Sequence, residues 1–168
     1  MKVQPSVEST RPITAQRRYP NAPLVGVAAA VFDGDGRVLL VRRGRPPRQG
    51  QWGLPGGLLD LGERLIDGAR REVREECAIE VKIEGLITTF EFVQHDHEGQ
   101  IEYHYVVLDY WARHVSGEAV AQDDADAVQW VLLPELAEMD LNADTAAVIA
   151  KAFAMWMDGQ NRVGDGAS

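Results

Sequence analysis

The segment Leu65–Cys77, LIDGARREVREEC, limits the fold of this 168-residue chain more than any other stretch. Wound at about 100° per residue, it sorts its side chains by chemistry. Leu65, Ile66, Ala69, Val73 and Cys77 fill one arc of roughly 120°, wide enough to pack on a core. Glu72, Glu75 and Glu76 take the arc beside it, and Arg70, Arg71 and Arg74 the arc beyond. A helix held by surface ion pairs would alternate its signs, because each Glu–Arg pair at i,i+4 contributes about 0.2–0.5 kcal/mol. Here like charges are neighbours, and each such pair costs about as much. Only Arg71–Glu75 and Asp67–Arg71 attract at that spacing. Such a helix depends on tertiary packing, with its acidic edge at the core boundary. Three carboxylates within about a quarter turn also make an oxygen-rich site suited to Mg²⁺ or Mn²⁺. Taken alone, a solvated charge run is the commoner origin of such a cluster.

The flanking chain supplies strands for that helix to pack on. "LVGVAAAVF" (Leu24–Phe32) reads as a buried strand, "DGDG" (Asp33–Gly36) as a hairpin turn and "RVLLVRR" (Arg37–Arg43) as the return strand. A loop follows over Gly44–Gln51, and Trp52–Glu63 is broken by Gly and Pro. Val81–Val93 and Ile101–Arg113 are β-rich runs joined by the polar Gln94–Gln100. Ala127–Leu133 reads as a strand after the acidic loop Ala121–Asp126. Pro134 suits a helix start, and Ala143–Met157 reads as the C-terminal helix. Strands interleaved with two main helices predict an α+β domain with a mixed β-sheet between helices. It is expected over residues 23–158, between a flexible N-terminal arm (1–22) and a flexible tail (159–168).

Composition narrows the partners. The net charge is −9 and the pI about 4.9, which disfavours duplex nucleic acid and anionic membranes. No apolar run approaches the roughly 20 residues of a membrane span. The N-terminal residues carry no apolar signal-like core, and the single cysteine, Cys77, excludes an intrachain disulfide. These features predict a cytoplasmic enzyme or binding domain.

The helix belongs to a longer pattern. Read from Gly57, the chain spells Gly57-x5-Glu63-x7-Arg71-Glu72-Val73-x-Glu75-Glu76-x-Ala78-Ile79. This resembles the signature of the Nudix hydrolase family, Gly-x5-Glu-x7-Arg-Glu-U-x-Glu-Glu-x-Gly-U, where U is aliphatic. Ala78 is the one departure, since the family has glycine there. The upstream "WGLPGG" and the hairpin before it are also similar to that family, and compatible strand order extends the resemblance over about Leu24–Leu136. It implies an α/β/α sandwich, hydrolysis of a nucleoside diphosphate linked to another moiety, and dependence on Mg²⁺, with Mn²⁺ as a substitute. Carried over by position, it implies that Gly57, Glu72, Glu75 and Glu76 are metal ligands. Glu72 and Glu75 are the implied catalytic carboxylates, and Arg71 orients Glu75 while pairing with Glu63. Glycine just past a helix takes a left-handed conformation that costs Ala about 1 kcal/mol or more, so Ala78 questions the helix exit.

The implied substrate is a small nucleotide, with ADP-ribose or a related nucleotide sugar placed first. The proline that ADP-ribose enzymes often carry after the box is absent near Gln94–His95. A MutT-like (d)NTP pyrophosphohydrolase and a non-catalytic nucleotide sensor are the alternatives, and a homodimer is expected. Arg43 and Arg45, from the basic stretch with Arg42 and Arg48, are candidate phosphate contacts. Trp52 and Tyr103, with Tyr105, are candidate stacking partners for a base. Glu98, Glu102, Asp123, Asp124 and Asp126 are further acids that read first as solvated loop residues. His95, His97 and His104 have no cysteine partner at zinc spacing.

Overall fold

In the computed structural model, residues 16–46 and 48–164 are described. Strands β1 (Leu24–Phe32) and β2 (Val38–Arg43) are apolar on both sides, and the structure covers both sides. Successive strand residues point to opposite faces. On one face Ala29, Val31, Leu39 and Val41 pack with Val73 and Cys77 of α1 (Leu65–Cys77). On the other, Ala30, Phe32, Val38 and Leu40 pack with Ile149, Ala152 and Trp156 of α2 (Ala143–Gly164). Double burial explains why these strands read as continuous hydrophobic runs. The expected α/β/α sandwich is formed.

The remaining strands are β3 (Trp52–Gly53), β4 (Gly56–Leu58), β5 (Glu80–His95), β6 (Ile101–Ser116) and β7 (Ala125–Val131). The sheet runs β3-β2-β1-β6-β5, with β4 also on β1 and β7 also on β2. β1 and β6 are parallel, from Leu24 opposite Tyr105 to Phe32 opposite Arg113. The other pairings are antiparallel, so the sheet is mixed. The second edge of β1 is divided. β2 meets it at Phe32, whereas β4 takes Gly26–Ala28. This fork brings Gly56 and Gly57 between β1 and α1.

Several elements extend beyond their sequence limits. The Pro134 region is a 3-10 turn over Leu133–Glu138, and the Leu132 N–H donates to the Glu135 carboxylate at 2.9 Å. α2 continues past Met157 to Gly164, so the first residues of the expected tail are helical. The sheet holds this extension: Arg113 Nη1 donates to Gln160 Oε1 at 3.4 Å, and Gly159 lies against Trp111 and Arg113. Of the expected arm, residues 1–15 lie outside the described residues. Beyond them, Tyr19 N–H donates to the Glu102 carbonyl at 2.8 Å and Tyr19 OH to Asp96 at 2.9 Å. Arg18 pairs with the Glu102 carboxylate at 2.9 Å, so this part of the arm is tied to the β5–β6 hairpin. No described helix is long and apolar enough to cross a membrane.

α1 ends as a glycine-capped helix would. Ala78 adopts φ 59° and ψ 24°, and its N–H donates to the Arg74 carbonyl at 2.9 Å. The exit geometry is thus kept at the conformational cost of a Cβ in the left-handed region. Ala78→Gly is expected to stabilise the protein by about 0.5–1 kcal/mol, after subtracting the greater unfolded-state freedom of glycine. The melting temperature should rise by about 1–4 °C at unchanged activity. A fall in melting temperature would refute the strain.

Candidate active site

The site is built where β4 passes under α1. A Cβ on Gly56 would run into the Val27 carbonyl and Ala28, and one on Gly57 would overlap the Glu72 carboxylate. Only glycine allows this approach. The Gly56 N–H donates to Glu76 Oε2 at 2.9 Å. Glu76 is only 7% exposed, and burial, with the neighbouring Glu72 charge adding to it, pushes its carboxyl up to about 7. Burial also raises the Glu72 carboxyl, against the pull of Arg71. Two carboxylates that repel each other at a core boundary are expensive to keep ionised.

Arg71 organises the acids. Its Nε and Nη2 donate to the two Glu63 oxygens, each at 2.9 Å, and Nη2 also reaches the Leu58 carbonyl at 3.0 Å. Nη1 donates to Glu72 Oε1 at 2.8 Å and Glu75 Oε2 at 3.0 Å. A planar guanidinium can serve a bidentate carboxylate and further acceptors at once, which an ammonium cannot. The Arg71 bonds hold the Glu63 carboxyl below its usual range, and Glu63 in turn raises Arg71. Arg74 turns away and pairs with Glu80, with Nη2 to Oε2 at 3.0 Å.

Gly57, Glu63, Arg71, Glu72, Glu75 and Glu76 therefore form one cluster, as the resemblance of the box implies. They line an acidic cavity of about 700 Å³. Arg43 and Arg45 line it too, with Arg45 paired to Asp124 at 2.8 Å. Asp123 and Asp124 reach the same cavity, and Glu102 is engaged with Arg18. Among the described residues, no three His, Cys, Asp or Glu groups converge as a ready-made metal cage. The acids instead bond to Arg71 and Gly56. The donor set still fits a hard divalent cation. It is all oxygen, it is concentrated on one helix edge, and it includes buried Glu76 beside partly buried Glu72, whose repulsion a cation would relieve.

A second cavity, of about 580 Å³, lies on the α2 side of β4. The two cavities share Gly56, Gly57 and Leu58, and Arg17 and Arg43 line both. Trp52 is in the wall of the second one, as expected. Tyr103 is not: it stacks on Tyr105, at 6.3 Å between ring centroids, and Tyr105 lines the cavity. Arg17 has no counterpart in the sequence expectations, because only docking of the arm brings it to the site. Asp109 has no counterpart there either, although a lone acid inside the run "YHYVVLDYWAR" is a signal for it.

Asp109 is 3% exposed, and its Oδ2 has no hydrogen-bond partner among the described residues. Burial alone pushes its carboxyl up to about 6. Lys151 and Asp144 of α2 line the same cavity. A folded pKa above the unfolded one favours the protonated native state. That contribution is complete below about pH 4 and lost as pH rises through about 6. Above this window, ionised Asp109 costs about 3 kcal/mol. Asp109→Asn is therefore expected to match the wild type at pH 4 and exceed its stability at pH 8 in urea denaturation. Equal stability at both would contradict the buried charge.

Comparison with known proteins agrees with this architecture. The NUDIX domain family description matches residues 22–153. An ADP-ribose pyrophosphatase of Methanocaldococcus jannaschii is 26% identical over 129 residues, spanning 77% of this chain and 72% of that protein. The NUDIX domain of Shewanella oneidensis NrtR, solved with ADP ribose, superposes with a TM-score of 0.65 at 28% identity, covering 81% of this chain and 90% of that one. A MutT NUDIX hydrolase from Burkholderia pseudomallei gives a TM-score of 0.65 at 31% identity, covering 78% and 98%. With the box in its helix, the helix on its sheet and the match running through most of the sequence, the chain belongs to the NUDIX domain family.

Proposed function

We propose that this Nudix hydrolase is a metal-dependent pyrophosphohydrolase acting on a nucleoside diphosphate linked to another moiety, with ADP-ribose or a related nucleotide sugar as substrate. The observation that carries this reading is the junction of the two cavities. An acid-lined space and a largely apolar one meet at Gly56–Leu58, with Arg17 and Arg43 lining both. A diphosphate carrying a planar base on one side and a sugar on the other matches that division. The names of the Methanocaldococcus and Shewanella proteins point to ADP-ribose, and that of the Burkholderia hydrolase keeps the MutT-like alternative in the test.

In this proposal Glu72, Glu75, Glu76 and the Gly57 carbonyl hold a divalent cation, with Mg²⁺ preferred and Mn²⁺ able to replace it. Such a cation, when bound, neutralises diphosphate charge and acidifies a coordinated water. Arg71 orients the Glu72 and Glu75 carboxylates, and Glu63 anchors Arg71. Glu72 serves in this reading as a ligand or, alternatively, as the base that takes a proton from the attacking water. Arg17 and Arg43 face the diphosphate. A homodimer is part of the reading and is checked by sedimentation equilibrium.

The test is a panel of ADP-ribose, other nucleotide sugars and (d)NTPs with Mg²⁺ or Mn²⁺, followed by identification of products. Hydrolysis of ADP-ribose to AMP and ribose phosphate is the expected result. Release of pyrophosphate from a (d)NTP alone would select the MutT-like alternative. Tight binding without turnover would select a sensor, which has no need of three mutually repelling carboxylates.

A further inference from the structure

We propose that Asp109 sets the specificity of the 580 Å³ cavity by accepting a hydrogen bond from the exocyclic amino group of an adenine seated there. The inference rests on the proposed nucleotide substrate and names the group that reads its base.

The position of Asp109 is the first argument. On β6 it shares a face with Trp111, which belongs to the core against α2, and with Val107, which lines the cavity. Asp109 therefore stands where the packed core ends and the cavity begins. Its β1 neighbour is Ala28, and Gly26 lies one step further along the same face. Asp109 itself is among the residues that line the cavity.

Its lack of a partner is the second argument. A buried carboxylate oxygen normally finds a donor, and leaving one unpaired costs free energy that an apolar residue would not. Asp109 Oδ2 has no partner among the described residues. Oδ2 itself is closed to solvent, so a donor in the cavity would meet the carboxylate at its other oxygen, Oδ1.

The walls select the ligand. Trp52, Leu54, Phe90, Val107 and Val148 give the cavity a mainly apolar lining, suited to a flat ring. An ionised carboxylate only accepts, so the ring must present a donor at its edge. A sugar presents hydroxyls in place of a flat apolar face and would cover this apolar area poorly. A phosphate would meet the carboxylate with like charge. With the diphosphate at Arg17 and Arg43, the remaining planar end of the substrate is the base. Its amino group meets both requirements.

The experiment is calorimetric binding at pH 7.5 of ADP-ribose and of its analogue with hydrogen in place of the adenine amino group. Wild-type protein is expected to prefer ADP-ribose by about 10–100-fold, the range for a hydrogen bond to a charged group. Asp109→Leu should bring the two affinities within about threefold by weakening ADP-ribose alone. Asp109→Asn, which keeps an acceptor oxygen and the side-chain shape, should retain part of the preference. Equal wild-type affinity for the two ligands, binding of neither, or equal weakening of both by Asp109→Leu would overturn the assignment. Discrimination in binding without turnover would sink the pyrophosphohydrolase and leave Asp109 in its role. Turnover without discrimination would do the reverse.

Discussion

Glu76→Gln is expected to lower kcat by about 10³-fold or more while leaving the melting temperature unchanged or higher. The two effects part because the glutamate is placed for chemistry at a cost to the fold. Its carboxyl is buried, raised to about 7, and faces the Glu72 charge. Glutamine keeps an oxygen to accept the Gly56 N–H, and its amide can donate toward Glu72. The fold thereby loses a repulsion and retains its hydrogen bond, while the acidic edge loses a charged ligand. Steady-state kinetics and thermal melts on the same preparation decide it. Wild-type kcat would remove Glu76 from the proposed metal set, whatever the melt shows.

Arg71→Met should fail in the opposite way, losing stability and activity together. Arg71 is 22% exposed, and its partners Glu63 and Glu72 are 16% and 13% exposed, so these bonds are only partly screened by solvent. Removing the guanidinium leaves several carboxylates without their cation. The expected cost is about 3 kcal/mol, or about 6–12 °C in melting temperature. Activity should fall by about 10–100-fold beyond the fraction unfolded, because Glu75 and Glu72 lose their orientation. Adding Glu63→Gln should recover stability without activity, since it removes one orphaned charge and restores no orientation. Recovery of both would make Arg71 a purely structural residue. Arg71→Lys is expected to behave much like Arg71→Met, because an ammonium cannot reproduce the fork.

What could be read in advance was local. β1 and α1 occupy the residues that hydrophobic runs and helical spacing assign to them. The acid cluster was legible for the same reason: most of it sits on one helix edge, and Gly57 and Glu63 lie just upstream. What escaped was set by contacts distant in sequence. Tyr103 and Tyr105 share a face by parity, and only the sheet register shows which one meets the cavity. Arg17 reaches the site because Tyr19 and Arg18 bind a hairpin some eighty residues away. α2 outruns its hydrophobic pattern because Arg113 of β6 bonds to Gln160. Ala78 was the opposite case, a local warning about geometry that the packed fold overrules at a modest cost.

The parallel pairing of β1 with β6 also governs the order in which the molecule can assemble. β5 and β6 are joined by a tight hairpin and can zip from their turn, whereas Leu24 finds Tyr105 only after a long loop has closed. α1 cannot hasten that closure: with thirteen residues and like charges side by side, it is too short and too self-repelling to persist unaided. It gains its support when β1 and β2 offer the apolar face that Val73 and Cys77 cover. The glutamates are thus gathered only when the β1–β2 face is in place to hold the helix that carries them.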